Sequence, residues 1–214
     1  MKQKPHLLVI GSPSIDILHF KGRTQQSAGG AGLYTALAAN RSGCKVSLYG
    51  VKPDQLPEDL IPLEQRLIEW LGPSVPLEEL PHFEISHEGD KATYLKIHPG
   101  EEERLMPSSL PQDLSNYDGV HITSLGTVET QIRFAEVCRA RSAKLLSSGS
   151  FLNLIQENRD AVRMLMDKTD IFFVNEEEAS AIFGSIEGAT TEPGKLLFIT
   201  RGKKGAVVVQ GDYQ

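Results

Sequence analysis

The chain has 214 residues, 40% of them hydrophobic and 23% charged, which is an ordinary soluble composition with room for one large α/β domain or two small ones. A formal charge of −6 argues against nucleic acid or an anionic membrane as the main partner, because both need concentrated Lys and Arg, but it leaves room for a single phosphate group. No apolar run is long enough to span a bilayer, residues 1–5 lead straight into a strand-like stretch instead of a signal peptide, and Cys44 and Cys138 are expected as two buried, reduced thiols, so a cytoplasmic protein is the expectation.

Residues 7–11 (LLVIG) form a continuous apolar run ending in Gly, as a strand buried on both faces does. An Ala- and Leu-rich helix is expected over 30–41, then a second buried strand at 45–50. Leu63, Leu67, Trp70 and Leu71 follow helical spacing, and the three prolines between Gly72 and Pro81 mark a connector. Residues 119–123, 144–148, 171–174 and 196–200 are further apolar strands. Between them, Ile132, Ala135 and Cys138 make one helical stripe. Val162, Leu165 and Met166 make another, with Asn158 as its N-cap. All these stripes read as core. The alternation of strand and helix predicts an α/β fold with a mostly parallel sheet.

Two stretches break the rhythm. Residues 17–28 and 83–97 are more polar, and the second alternates around a Gly89-Asp90 turn signal, as a hairpin outside the main sheet does. The acidic run Glu101-Glu102-Glu103 reads as a solvated loop. At the end, residues 206–209 (AVVV) are strongly strand-like and Gly211-Asp212 is a turn signal, so a hairpin is opened whose second strand is expected beyond Gln214; the alternative is that this strand pairs elsewhere and the domain ends.

Four segments are candidates for chemistry. Small residues lead from the first strand to Asp16, near the sheet edge where open α/β folds place ligands. A carboxylate there suits vicinal hydroxyls; a turn or capping Asp is the even alternative. Gly29-Gly30-Ala31-Gly32 opens the Ala-rich helix, where backbone can approach closely and N–H groups are unpaired. It is neither a P-loop nor the dinucleotide fingerprint, and a flexible loop before a helix is an equal reading. Asn175 and Glu178 stand one turn apart where a strand meets a helix; they could hold Mg²⁺ through water, or simply cap the helix. Residues 200–205 (TRGKKG) make either a phosphate-side loop or a hairpin turn with solvated charges. The six histidines show no metal-ligand spacing, His121 reads as a strand residue of the core or edge, and residues 147–150 carry no nucleophile elbow.

In order and context these segments resemble the ribokinase-like (PfkB-type) carbohydrate kinase family along essentially the whole chain. The resemblance implies a three-layer αβα, Rossmann-like fold over residues 1–214, incomplete at its C-terminal end, with a small β-strand lid over about 17–28 and 83–97. It implies that Asp16, Gly29, Gly30 and Tyr34 bind the acceptor. Asn175, Thr200, Gly202 and Gly205 would lie along the nucleotide phosphates, and Glu178 would hold Mg²⁺ through water. ATP and Mg²⁺ are the implied cofactors, a small polyol the implied substrate, and a homodimer through the lid a further implied partner.

Three departures qualify the resemblance. Tyr34 stands where the family commonly has Asn, and Gly149-Ser150-Phe151 where it often has Asp-x-Asn. The Gly-Ala-Gly-Asp segment that supplies the family's base and anion hole does not occur, so no catalytic residue is assigned and the 214 residues alone are expected to be inactive. The alternative reading is a non-catalytic ligand-binding or regulatory protein on the same scaffold. A nucleotide-binding oxidoreductase is disfavoured by the missing Gly-x-Gly-x-x-Gly.

Overall fold

The structure is a computed structural model and describes residues 4–88 and 91–212. Its chain divides into two compact units, Met1–Leu110 and Pro111–Gln214, each described by itself.

The first unit opens with β1 (His6–Ile10), followed by β2 (Ser14–Phe20), β3 (Arg23–Gly29), α1 (Ala31–Arg41) and β4 (Lys45–Tyr49). Next come β5 (Lys52–Pro53), α2 (Ile61–Glu64), β6 (Glu69–Leu71), β7 (Ser74–Val75), β8 (His82–Glu88) and β9 (Lys91–His98). Strands β1, β4 and β6 run parallel, Leu7 beside Val46 and Leu48 beside Trp70. Leu8, Val9, Ile10, Val46 and Leu48 have no exposed surface, as expected for apolar runs of a parallel sheet. Helix α1 sits directly on the strand ends because glycines let it: a Cβ at Gly32 would lie 2.4 Å from the Gly11 carbonyl oxygen.

One expectation fails here. The helical spacing of Leu63, Leu67, Trp70 and Leu71 yields only the single turn α2, and Trp70 and Leu71 belong to strand β6. Pairing along β4 satisfies the backbone of residues 69–71, and the Trp70 indole donates to the Gly50 carbonyl at 3.2 Å. Non-local pairing outweighs a short period that helix and strand can share.

The off-rhythm stretches form a separate four-stranded sheet in the order β3-β2-β8-β9, slightly wider than the sequence suggests. Strands β2 and β3 make a hairpin turned by Lys21 (φ 49°) and Gly22 (φ 71°), the left-handed pair a two-residue turn uses. Strands β8 and β9 make a second hairpin with a bulge at Glu84/Ile85; its Gly89-Asp90 turn lies outside the described residues. The connector around Pro73–Pro81 holds β7 and a 3-10 turn, Leu77–Glu79, and the acidic run ends in another, Glu102–Arg104.

The second unit contains β10 (Gly119–Ile122), α3 (Val128–Ala140), β11 (Leu146–Gly149), α4 (Leu152–Glu157), α5 (Arg159–Lys168), β12 (Ile171–Asn175), α6 (Glu176–Phe183), β13 (Leu196–Thr200) and β14 (Ala206–Val209). Strands β10 to β13 are parallel and β14 returns antiparallel to β13 at the edge. Asn158 caps α5 as expected, accepting from the Ala161 N–H at 3.1 Å. Gln131 of α3, fully buried, donates to the carbonyls of Thr123 (3.0 Å) and Gly149 (2.9 Å) and so ties the ends of β10 and β11 together.

The strands of this unit were expected to be buried on both faces, and those at its edge are not. Phe172, Val174, Leu197, Ile199 and Val209 are buried on the face where α3 to α6 pack. On the opposite face Phe173 is 37% exposed and Val208 41%. Cys138, on α3, is buried, and burial pushes its thiol pKa up to about 12. Cys44, expected in the core, is only half-buried in the turn after α1; both cysteines are free thiols.

Candidate functional site

Asp16 does not sit in a turn at the end of β1. It lies within β2 of the four-stranded sheet, only 5% exposed, with Ser14 on the same face two residues earlier. Gly29 faces the pair from β3: a Cβ there would come within 1.9 Å of Asp16 Oδ2 and 3.0 Å of Ser14 Oγ. The glycine is therefore required by the carboxylate and not only by chain flexibility. Asp16 Oδ1 and Ser14 Oγ are both buried and meet no hydrogen-bond partner among the described residues. Burial raises the Asp16 pKa, against the smaller opposing pull of the Ser14 hydroxyl, the Phe83 backbone and the His82 ring. A buried carboxylate with an unused oxygen costs stability until a partner meets it.

Gly30, at φ 92°, is the N-cap of α1 and contributes no side-chain cap. Its Cβ would strike the Ser12 carbonyl oxygen at 2.7 Å, so the loop is folded tightly onto the segment that leads to Asp16. Tyr34, on α1, is 60% exposed, and its hydroxyl stands 3.5 Å from the Ala28 carbonyl, too far for more than a weak contact. The structure thus brings Asp16, Gly29 and Gly30 together and leaves Tyr34 on the helix surface beside them. Ser14 is the residue sequence reasoning passed over; its parity with Asp16 along one strand was the available signal.

In the second unit, Asn175 and Glu178 form a reciprocal capping box. Asn175 Oδ1 accepts from the Glu178 N–H at 2.9 Å, and Glu178 Oε2 accepts from the Asn175 N–H at 2.7 Å. Glu178 is 8% exposed, and burial raises its pKa, with the Asn175 N–H opposing and the neighbouring Glu177 charge adding to the rise. Thr200 pairs with Asn175 across adjacent strand ends. The loop after it is a tight hairpin in which the Arg201 N–H donates to the Gly205 carbonyl at 2.8 Å. Gly202 (φ 55°) and Gly205 (φ 82°) have open space where side chains would stand. Sequence reasoning also missed Glu176, whose Oε1 lies 3.4 Å from both Arg201 and Lys204 and holds the loop's cations. Asn175, Glu178, Thr200, Gly202 and Gly205 therefore form one cluster at the C-terminal ends of β12 and β13. Among the described residues no three His, Cys, Asp or Glu are grouped to hold a metal, and no helix is long and apolar enough to cross a membrane.

Solved structures share the fold of this chain. The chain matches, at a TM-score of 0.75, adenosine kinase of Sinorhizobium meliloti (17% identical, covering 98% of this chain and 78% of that one). It matches ribokinase of Giardia lamblia equally, at 0.75 (19% identical, 99% and 74%). The fold is ribokinase-like. In sequence, the chain is 25% identical over 215 residues to a cytidine kinase of Thermococcus kodakarensis, covering 97% of this chain and 77% of that protein. No family model matches the chain. The ribokinase-like resemblance thus holds in fold, and the chain spans about three quarters of the length of the proteins it matches.

Proposed function

We propose that this chain carries the acceptor- and phosphate-binding residues of an ATP-dependent kinase that phosphorylates a hydroxyl of a nucleoside or small sugar. The observation that carries the reading is Asp16, a buried carboxylate with an unpartnered oxygen, packed against a glycine that no other residue could replace without moving it. Such a group accepts hydrogen bonds from two neighbouring hydroxyls of a polyol and holds the acceptor in one orientation, and phosphoryl transfer depends mainly on orientation and charge stabilisation. Two of the three relatives described above are kinases named for nucleosides, which favours a nucleoside over a free sugar.

On the phosphate side, the backbone of residues 200–205 and the Asn175 side chain would line the nucleotide phosphates. Glu178 has one oxygen engaged by its own N-cap and little exposed surface, and among the described residues it belongs to no group of three His, Cys, Asp or Glu that could hold a metal. That fits a Mg²⁺ ion that keeps its water and is held at one remove. When bound, the ion neutralises phosphate charge. Within these 214 residues no group is assigned as the base, because no Gly-Ala-Gly-Asp segment occurs. We expect the 214 residues alone to bind the acceptor without turning ATP over. A second copy of the chain would meet the lid through exposed Phe20 and Ile97.

The non-catalytic reading is favoured by one observation: the Asn175–Glu178 pair is already satisfied as a cap. Calorimetric titration of the chain with cytidine, adenosine and ribose separates the possibilities. Asp16→Asn should weaken binding of the preferred acceptor by at least about tenfold, the range for losing hydrogen bonds to a charged group. Unchanged affinity would remove Asp16 from the site. ATP turnover by the protein expressed from its native gene then tests catalysis; binding without phosphoryl transfer to any of these acceptors would favour the binding protein.

A further inference from the structure

Strand β2 has two faces, and only one has been used. Asp16 shares its face with Ser14 and with Gly29 of β3. Ile15 and Ile17 necessarily point the other way. On that reverse side of the lid lies a cavity of about 430 Å³, within the size range of small-molecule pockets. Its apolar wall is made by Ile15, Ile17, Pro57, Leu77 and Leu80. Ile17, 40% exposed, and Leu77, 38% exposed, both line it, so two large aliphatic side chains of one pocket meet solvent together. The polar groups at its margin are Gln26, which stands opposite Ile17 in the β2–β3 register, His82 and Glu78. His82 is positioned by stacking on His98 with ring centroids 4.3 Å apart. Glu78 is exposed on the Leu77–Glu79 turn and is the one carboxylate of the lining, which contains no Lys or Arg.

We propose that this cavity is a second ligand site, separate from the acceptor face, that takes a small aromatic or branched aliphatic amine. The apolar body packs between Ile15, Ile17, Leu77 and Leu80. The protonated amine pairs with Glu78 at the rim, where Gln26 offers a further acceptor. The choice of a cation follows from the charge of the lining: an anion would meet Glu78 with no Lys or Arg to offset it, and a neutral apolar molecule would leave the rim unused. Because Ile15 and Ile17 flank Asp16 in sequence, an occupant braces the same strand from behind, joining the lid to the 57–60 and 77–80 turns.

The test uses 2-naphthylmethylamine as probe, observed by saturation-transfer NMR and titrated for affinity. A saturable Kd on the order of 0.1–1 mM is expected for a ligand of this size. Glu78→Lys, a change at an exposed position, should weaken it at least about threefold. The anion 2-naphthoate should bind the parent protein more weakly by a similar factor. Ile17→Asp should abolish binding, with circular dichroism confirming the fold. Binding should persist in Asp16→Asn, which separates this site from the acceptor site and from the kinase reading. Non-saturable binding, equal affinity for the naphthoate, an unchanged Kd in Glu78→Lys, or loss of the signal in Asp16→Asn would each overturn the proposal.

Discussion

The five sheet strands of Pro111–Gln214, β10 to β14, present two faces made by the same strands, often by adjacent residues, yet their environments differ. Phe172 is 1% exposed under the helices, and its neighbour Phe173 is 37% exposed on the other side. Val209 is fully buried and Val208 41% exposed. The side chains on both faces are apolar: Phe173 stacks on Phe198 with centroids 5.2 Å apart, and the edge of its ring meets His121 at 5.8 Å. An apolar composition therefore records what a face is suited to contact. It does not record what covers it among the described residues.

The largest test of this contrast is a pair of truncations. Phe172→Ala should cost about 3–5 kcal/mol in urea unfolding, the range for deleting a buried ring and leaving a cavity. Phe173→Ala should cost about 1 kcal/mol, since much of its surface already meets water. Equal costs would mean that the outer face is as tightly packed as the inner one.

His121 sharpens the comparison at the next magnitude. It stands on the outer face, bonded through Nδ1 to Ser147 Oγ at 2.9 Å, and burial lowers its pKa to about 4 from the ordinary 6.5. Below pH 6.5 the unfolded chain takes up a proton that the folded chain refuses until about pH 4. Stability should therefore fall across that window and level off beneath it. The loss should be about 2 kcal/mol, discounted for the partial exposure of the ring. His121→Gln should remove that slope from the pH dependence of unfolding. A slope that survives the substitution would place the titrating group elsewhere.

Asp16 gives an effect of opposite sign. Its raised pKa means that the charged form is disfavoured in the fold, so the stability it withholds at neutral pH returns as pH falls through the raised value. Asp16→Asn should stabilise the protein at pH 7 by about 1 kcal/mol while weakening acceptor binding, as expected of a group retained for function. A destabilised variant would make Asp16 a structural residue.

These contrasts also mark where the sequence is legible. Continuous apolar runs located β1, β4, the parallel strands β10 to β13 and the antiparallel edge strand β14, because a strand that is apolar throughout needs no partner-specific signal to be recognised. Asn158 was readable as a cap because capping is local. Trp70 was not readable, since three residues of edge pairing along β4 leave no periodicity of their own. Asp16 could be flagged from its motif, but its place inside a lid strand depends on pairing with β3 and β8. Asn175 and Glu178 were flagged for metal chemistry, and the local alternative, a capping box, is what their side chains form. Which face of an apolar strand stays open is the least readable feature, because residues 172 and 173 are both Phe.

The smallest effect concerns that open face directly. An exposed apolar surface bounded by edge strand β14 offers both side-chain contact and unpaired backbone to a second molecule. The chain should therefore self-associate at micromolar concentration in sedimentation-velocity experiments. Val208→Lys places a charge on the edge strand where the valine already meets solvent, so stability should change by less than about 0.5 kcal/mol. Association should nevertheless weaken, because a lysine on an edge must be desolvated before another strand can pair there. Phe20→Lys, on the lid, serves as the comparison. If it disrupts association and Val208→Lys does not, the lid and not the open sheet face is where copies meet.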